Sequence, residues 1–353
     1  MDIYYIKEPA RTLDSKDAGN KARNDVERIL EMNQCHPITL YSPDNILKDQ
    51  FAILADIEQM LKKLPEDKLL FIQYPLPKAY RFALSKIMQH HPTILLLHDL
   101  DEIRHGKSSL LECRQINQAD LIISHNKYMT AYLAKFGIQK DKVYNLNLFD
   151  YLRKDNQHIF DHQNDKNLLC FAGHLRKSQF IYDFPQAVAD KDIFLYGVKY
   201  EPQKMHTAGV FYQGAFPTEE IQEQISGKFG LLWDGPSNQS CIGNYGDYLK
   251  INNPHKVSMY LSANMPVFVW SKAAIADFIK QNQAGILIDS LAEIPAALKQ
   301  LTPENYQQLV ANASRLGQKA ATGGFLTDAL TSILQSYTTV DSFANYYLKK
   351  NLK

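Results

Sequence analysis

Three stretches of this 353-residue chain hold the side chains best suited to chemistry. The first is His98-Asp99-Leu100-Asp101-Glu102, which directly follows the apolar run Ile94-Leu95-Leu96-Leu97. A carboxylate one residue beyond a buried strand stands where a general base would meet a hydroxyl. Asp99 is the first candidate for that role and Glu102 the second. The same spacing also suits a helix-capping aspartate in a solvated acidic turn, with Arg104 as its ion-pair partner. The second stretch is Gly173-His174-Leu175-Arg176-Lys177-Ser178. Gly173 permits a sharp turn at a sheet edge, and Arg176 and Lys177 would aim cations into the space beyond it. Arginine grips phosphate oxygens bidentately, although an ordinary strand-to-helix turn with exposed charges would read the same way.

The third stretch runs from Gly243-Asn244-Tyr245-Gly246-Asp247 to Asn252-Asn253-Pro254-His255-Lys256. Asn253 is a good N-cap and Pro254 a favoured first helical residue, so the spacing predicts a helix start here. Its unpaired amides and positive dipole end would attract an anion, and Lys256 would add a full charge at the same point. That is an oxyanion or diphosphate site built without a glycine fingerprint; a capped helix with a surface lysine is the plainer alternative. Gly19, in Gly19-Asn20-Lys21 ahead of the first helix, also fits a tight turn.

The elements that must position these residues alternate along the whole chain. Short apolar runs over 3–6, 38–41, 69–73, 94–98, 121–124 and 143–146 are strand candidates, with helices expected over 20–33, 50–64, 78–90 and 127–136. The polar stretch 155–167 has no apolar rhythm and reads as a linker. The pattern then restarts, with strands over 168–172, 193–196, 210–213, 229–233, 266–270 and 285–288, and helices over 218–226, 256–263, 273–280 and 303–316. Such alternation predicts two doubly wound α/β domains with parallel sheets, 1–154 and 155–331, facing each other across a cleft. Ligands of such sheets bind beyond the carboxyl ends of the strands. The tail 332–353, with Leu334, Tyr337, Phe343, Tyr346 and Tyr347 as apolar anchors, is expected to be a helix returning to the first domain.

Composition narrows the function classes. The 39 basic and 38 acidic side chains leave a net charge of +1 with no long basic run, so a nucleic-acid partner is not expected. The four cysteines are far apart and form no Cys-x-x-Cys pair, which argues against structural zinc and disulfides and for a reducing compartment. Met1-Asp2-Ile3-Tyr4-Tyr5 reads as a strand rather than a signal peptide, and no apolar run approaches the roughly 20 residues of a membrane span. The expected location is the cytoplasm, with contact to a membrane surface left open. Phosphate loops, Gly-x-Gly-x-x-Gly, His-Glu-x-x-His and Gly-x-Ser-x-Gly are all absent from the sequence.

The arrangement Pro254, Lys256, Tyr260, Leu261, Pro266 and Val267 resembles the donor-binding helix of GT-B glycosyltransferases. The chain as a whole is similar to bacterial galactofuranosyltransferases and to the glucosyltransferase 3 group that extends glycans on serine-rich repeat adhesins. Supporting segments, in the same order, are Ala18-Gly19-Asn20-Lys21-Ala22, His98-Asp99 with Ile103-Arg104, Ala119-Asp120 with Ser124-His125-Asn126, and Ala172 to Ser178. One departure is Met259, which stands where many GT-B enzymes carry a ribose-binding glutamate.

The resemblance implies a hexosyltransferase that takes glucose or galactofuranose from a UDP-sugar to a glycan or glycoprotein acceptor, in adhesin glycosylation or surface polysaccharide synthesis. It implies a donor site at Gly19, Arg176, Lys177, Tyr245, Asn253, His255 and Lys256, with Asp99 or Glu102 as base, no metal or other cofactor, and a homo-oligomer. Two competing readings remain at this level. One is a non-catalytic nucleotide-sugar-binding subunit, which would keep the donor cations but need no base. The other is a GT-A enzyme using Asp99-Leu100-Asp101 as its metal-binding Asp-x-Asp.

Overall fold

A computed structural model describes residues 2–7, 18–39, 68–76, 84–107, 110–154 and 168–338, with residues 55, 57–59, 62, 80 and 81. Each expected strand is present, its ends moved by a residue or two. β1 (Ile3–Lys7), β2 (His36–Thr39), β3 (Leu69–Tyr74), β4 (Thr93–Leu97), β5 (Leu121–Ser124) and β6 (Val143–Asn145) form one sheet in the order β2-β1-β3-β4-β5-β6. β7 (Leu169–His174), β8 (Ile193–Val198), β9 (Val210–Gly214), β10 (Phe229–Leu232), β11 (Val267–Trp270) and β12 (Gly285–Ile288) form a second, ordered β12-β11-β10-β7-β8-β9. Neighbouring strands are parallel throughout. β3, β4 and β5 are buried along their whole length. Continuous Leu, Ile and Phe, rather than alternation, is what a sheet covered on both faces requires. The strand order reverses between β1 and β3 in one sheet and between β7 and β10 in the other, and such reversals open crevices for ligands. Two sheets of this kind exclude the GT-A reading, which has a single nucleotide-binding domain.

The helices Ala18–Met32, Leu84–His90, Lys127–Ala134, His255–Ser262, Ala276–Gln281 and Pro303–Ala321 lie where expected, again with shifted ends. His255–Ser262 is seated most deeply, with 257–262 all buried. Tyr260 lies so close to β10 that a Cβ on Gly230 would stand 2.3 Å from its ring, and its hydroxyl accepts the Ala172 N–H at 2.8 Å. This fixes the helix against the two strands whose ends form the second crevice.

One expected helix is not formed, and other expectations fall outside the described residues. The segment 218–226 makes only a 3-10 turn, Ile221–Glu223. The Thr218 carbonyl is taken by the Tyr151 hydroxyl at 2.7 Å, which removes an acceptor a longer helix would need. Most of the helix expected over 50–64, the linker 155–167 and the tail from 339 onward lie outside the described residues. The return to the first sheet starts earlier than residue 332, in the helix Gly324–Thr338. Its first amides, Phe325 and Leu326, donate to the Asp150 carboxylate at 3.0 and 2.8 Å, and Asn33 donates to Thr327 at 3.0 Å.

One apolar core runs from the inner face of the first sheet (Tyr5, Leu96) through Phe149 and Tyr151 to Phe171 and Leu330. Beside it, Lys21 is fully buried, with Nζ 2.6 Å from Asp25, 2.9 Å from the Leu152 carbonyl and 3.4 Å from Glu219. The two sheets are therefore joined by packing and by buried charge, and Phe149 and Tyr151 of that junction also line the cleft between them.

Candidate active site

The carboxyl ends of β3, β4 and β5 face those of β7, β8 and β10 across a cleft of about 780 Å³. From the first sheet, Asp99 reaches it directly after β4. Arg104 Nη1 donates to Asp99 Oδ2 at 2.5 Å, and the Tyr248 hydroxyl accepts the N–H of the next residue, Leu100, at 2.8 Å. The Asp99 side chain keeps 31% of its surface open to the cleft. Burial of the loop raises its pKa above the ordinary carboxylate value, against the pull of Arg104 and Tyr248. A bound acceptor covering the open face would strengthen that effect. A raised, partly exposed carboxylate is suited to accept a proton near neutral pH.

The loop carrying Asp99 is held from below. Glu112, buried at 6% exposure, accepts the Asp101 N–H at 2.9 Å and the Glu102 N–H at 3.1 Å, while Tyr74 donates to it at 3.2 Å. His98 donates from Nε2 to Gln73 Oε1 at 2.7 Å and stacks on Phe149 at 5.4 Å. Arg23 joins the cleft wall from the first helix, donating to the Pro75 carbonyl at 2.6 Å; burial pushes its pKa down to about 10.

On the second side the helix His255–Ser262 begins at the cleft. The N-cap is Pro254, with no side-chain cap, and not Asn253 as the sequence led us to expect. Asn253 is turned to the first half: its amide donates to the His125 and Asn147 carbonyls at 3.1 and 2.7 Å and accepts from Asn126 at 2.7 Å. The helix start therefore lacks the side-chain partner that caps usually supply, and Pro254, His255 and Lys256 line the cleft. Lys256 Nζ lies 3.2 Å from Asp234 Oδ2 and 4.7 Å from the Phe171 ring centre, so its charge is aimed before any ligand arrives. Lys177 Nζ stands 5.2 Å from the ring of Tyr245, which also lines the cleft. His255 donates from Nε2 to the Asp150 carbonyl at 2.9 Å, and burial pushes its pKa down to about 4, so it is neutral at pH 7.

Gly19, Asp99, Lys177, Tyr245, Asn253, His255 and Lys256 thus converge on one cleft. Arg176 and Glu102 do not line it. Arg176 is 60% exposed and faces Glu201 at 3.7 Å, because successive residues of the turn point to opposite sides and Lys177 takes the inner one. Glu102 sits a turn beyond Asp99, its N–H tied to Glu112. Asp101 pairs with Arg81 at 2.8 Å, away from the cleft. Sequence reasoning missed Arg23, Glu112, Asp234 and Tyr248. Tyr248 and Arg23 lay beside stretches already singled out; Glu112 and Asp234 carry no signal of their own, because their partners, Asp101 with Glu102 and Lys256, lie ten or more residues away.

Two family models match the chain: the glucosyltransferase 3-like N-terminal domain over residues 4–148 and the glucosyltransferase 3-like C-terminal domain over 169–333. Among curated proteins the chain is 32% identical over 331 residues to the beta-1,6-galactofuranosyltransferase WbbI of Escherichia coli (strain K12), covering 92% of this chain and 96% of that one. It is 24% identical to glucosyltransferase 3 of Streptococcus gordonii, covering 89% and 94%. Among solved structures, Anabaena HepE in complex with UDP and glucose superposes with a TM-score of 0.61 at 12% identity, covering 96% of this chain and all (100%) of that one. WaaG, a glycosyltransferase involved in lipopolysaccharide biosynthesis, gives 0.52 at 10%, covering 93% and 98%. These structural likenesses establish the GT-B fold.

Proposed function

The chain belongs to the glucosyltransferase 3-like family of GT-B glycosyltransferases, and from that premise we propose that Asp99 and Lys256 divide the transfer of a hexose from a UDP-sugar to a glycan hydroxyl. Hexosyl transfer is the family's activity, which sets aside the non-catalytic subunit. The observation that carries the division of labour is the shared cleft. A lone carboxylate from the first sheet and a lysine at an uncapped helix start from the second face the same space.

In this reading residues 1–154 bind the acceptor and 155–331 the donor. Asp99 takes the proton of the acceptor hydroxyl as its oxygen attacks the anomeric carbon. The bond from that carbon to the diphosphate breaks, and UDP leaves with its charge met by Lys256, Lys177 and the helix amides. A single displacement of this kind inverts the anomeric centre. Because protein cations meet the leaving group, a divalent metal is not needed. Glucose and galactofuranose are the first donors to try, since relatives carry those names. Cytoplasmic action and assembly as a homo-oligomer complete the proposal. They rest on the resemblance and, for the reducing compartment, on four buried cysteines that form no disulfide. No helix among the described residues is long and apolar enough to cross a membrane.

The test is turnover of UDP-glucose and UDP-galactofuranose with a glycan acceptor in EDTA, with the product anomer read by NMR. Metal-independent transfer with inversion is expected. Activity that EDTA abolishes and manganese restores, or a retained anomer, would overturn the corresponding part of the mechanism.

A further inference from the structure

Among the described residues two carboxylates line the cleft, one from each half: Asp99, already assigned to the acceptor, and Asp234. Asp234 follows β10 on the donor side, where the group to be bound is itself an anion. Its Oδ2 lies 3.2 Å from Lys256 Nζ. A negative charge at that place weakens the pull of the lysine on a diphosphate and repels the diphosphate directly. Its position suits a different partner, one that donates hydrogen bonds. We propose that Asp234 is a specificity-determining residue that accepts hydrogen bonds from two neighbouring hydroxyls of the donor hexose. A vicinal diol is then the chemical feature this side of the cleft selects. The inference rests on the donor being held by the second half.

An ionised carboxylate offers about four lone-pair sites on its two oxygens. Lys256 donates to Oδ2 at 3.2 Å and the Ser178 hydroxyl to Oδ1 at 3.4 Å, which leaves about one site open on each oxygen. The side chain keeps 21% of its surface exposed. The two open sites sit side by side on one planar group, as the oxygens of adjacent ring hydroxyls do. A site built to hydrogen-bond a hydroxyl rejects an analogue that lacks it, because its own polar group is then left unpaired.

The turn that carries Asp234 is held on both sides. Trp233 is fully buried and donates from Nε1 to the Ser237 carbonyl at 2.8 Å. Gly235 has φ +100°, and a Cβ there would stand 2.4 Å from the Ile242 carbonyl oxygen, so the turn requires glycine. The Asp234 N–H itself donates to Cys241 Sγ at 3.4 Å. An acceptor fixed in advance loses little freedom when the sugar arrives.

Asp234→Asn keeps the shape of the side chain and removes its charge. In calorimetric titrations of the full-length protein, UDP should bind this variant as tightly as the parent or more tightly. UDP-glucose or UDP-galactofuranose, whichever turns over, should bind about tenfold more weakly relative to UDP. Parental protein tests the same point without a substitution. Removing one hydroxyl at a time from the donor hexose should cost about tenfold at two adjacent positions. Those losses should shrink in Asp234→Asn. If Asp234→Asn weakens UDP and the UDP-hexose alike, the carboxylate serves only to orient Lys256 and the proposal is overturned. Parental protein that binds every monodeoxy donor equally well overturns it too. Lys256→Ala is measured alongside. If it binds UDP as the parent does, the donor-side reading falls and takes the proposal with it. If it loses UDP while Asp234→Asn keeps the parental ratio of UDP-hexose to UDP affinity, the proposal alone falls.

Discussion

The loop after β4 and the loop after β7 both open onto the cleft at carboxyl ends of parallel strands, yet they carry opposite charge and are held in different ways. Asp99, after β4, is paired with Arg104 of the same segment, while the backbone around it is held by Tyr248 at Leu100 and by Glu112 at the following amides. Lys177, after β7, and Lys256, on the helix over that strand, find their partners within the second half, in Tyr245 and Asp234. The proposed donor cations thus have their partners inside one domain, whereas the backbone around the proposed base is held by residues of both. The seam between them is itself polar and buried. His125 donates to the Leu97 carbonyl at 3.0 Å and accepts the Asn253 N–H at 3.0 Å, while Asn126 donates to Asn253.

The sharpest way to break this comparison is at Asp99. Asp99→Asn should lower kcat by about 10²–10⁴-fold, the usual worth of a general base. Retention of turnover there, with its loss in Glu102→Gln, would move the base a turn along the loop. The seam comes next. Burial pushes the His125 pKa down to about 4 against an ordinary 6.5, so its contribution to stability is full above pH 6.5 and is lost as pH falls toward 4. Parental protein should lose about 3 kcal/mol relative to His125→Asn across that window, measured by denaturant unfolding. Taking the difference cancels Asp25 and Asp150, whose pKa values burial raises to about 6 and about 7 and which act in the opposite direction. A pH-independent difference would show that the seam does not hold a neutral histidine. Lys256→Ala should weaken UDP by about 10- to 100-fold, since a charge-assisted contact to phosphate contributes about 1.5–3 kcal/mol. Arg176→Ala should change UDP affinity by no more than about threefold, because its guanidinium is exposed and faces Glu201. A larger loss there would mean that Arg176 leaves Glu201 and turns inward when the donor binds.

The sequence made the strands legible because parallel sheets buried on both faces write themselves as uninterrupted Leu, Ile and Phe. The runs in β3, β4 and β5 needed no partner information to be recognised. Asp99 and Lys256 were legible for a related reason: each stands immediately beyond an element whose end could be read locally. Asn253 shows the limit. Its position before Pro254 has the spacing of a cap, but the competing carbonyls of His125 and Asn147 lie more than a hundred residues away and take its amide instead. Arg176 and Lys177 read alike in sequence, and only the geometry of the turn decides which one faces inward. Tyr248 and Glu112 act through backbone amides of the loop after β4, one from 148 residues away and the other from ten and eleven, pairings for which no spacing rule exists.

The central claim is that proton acceptance belongs to the first half and diphosphate binding to the second. Calorimetric titration of UDP into Asp99→Asn and Lys256→Ala, paired with kcat for the same two proteins, tests it most directly. The account predicts parental UDP affinity with kcat lowered about 10²–10⁴-fold in the first variant, and UDP binding weakened about 10- to 100-fold in the second. An Asp99→Asn protein that loses UDP, or a Lys256→Ala protein that binds it as the parent does, would contradict it.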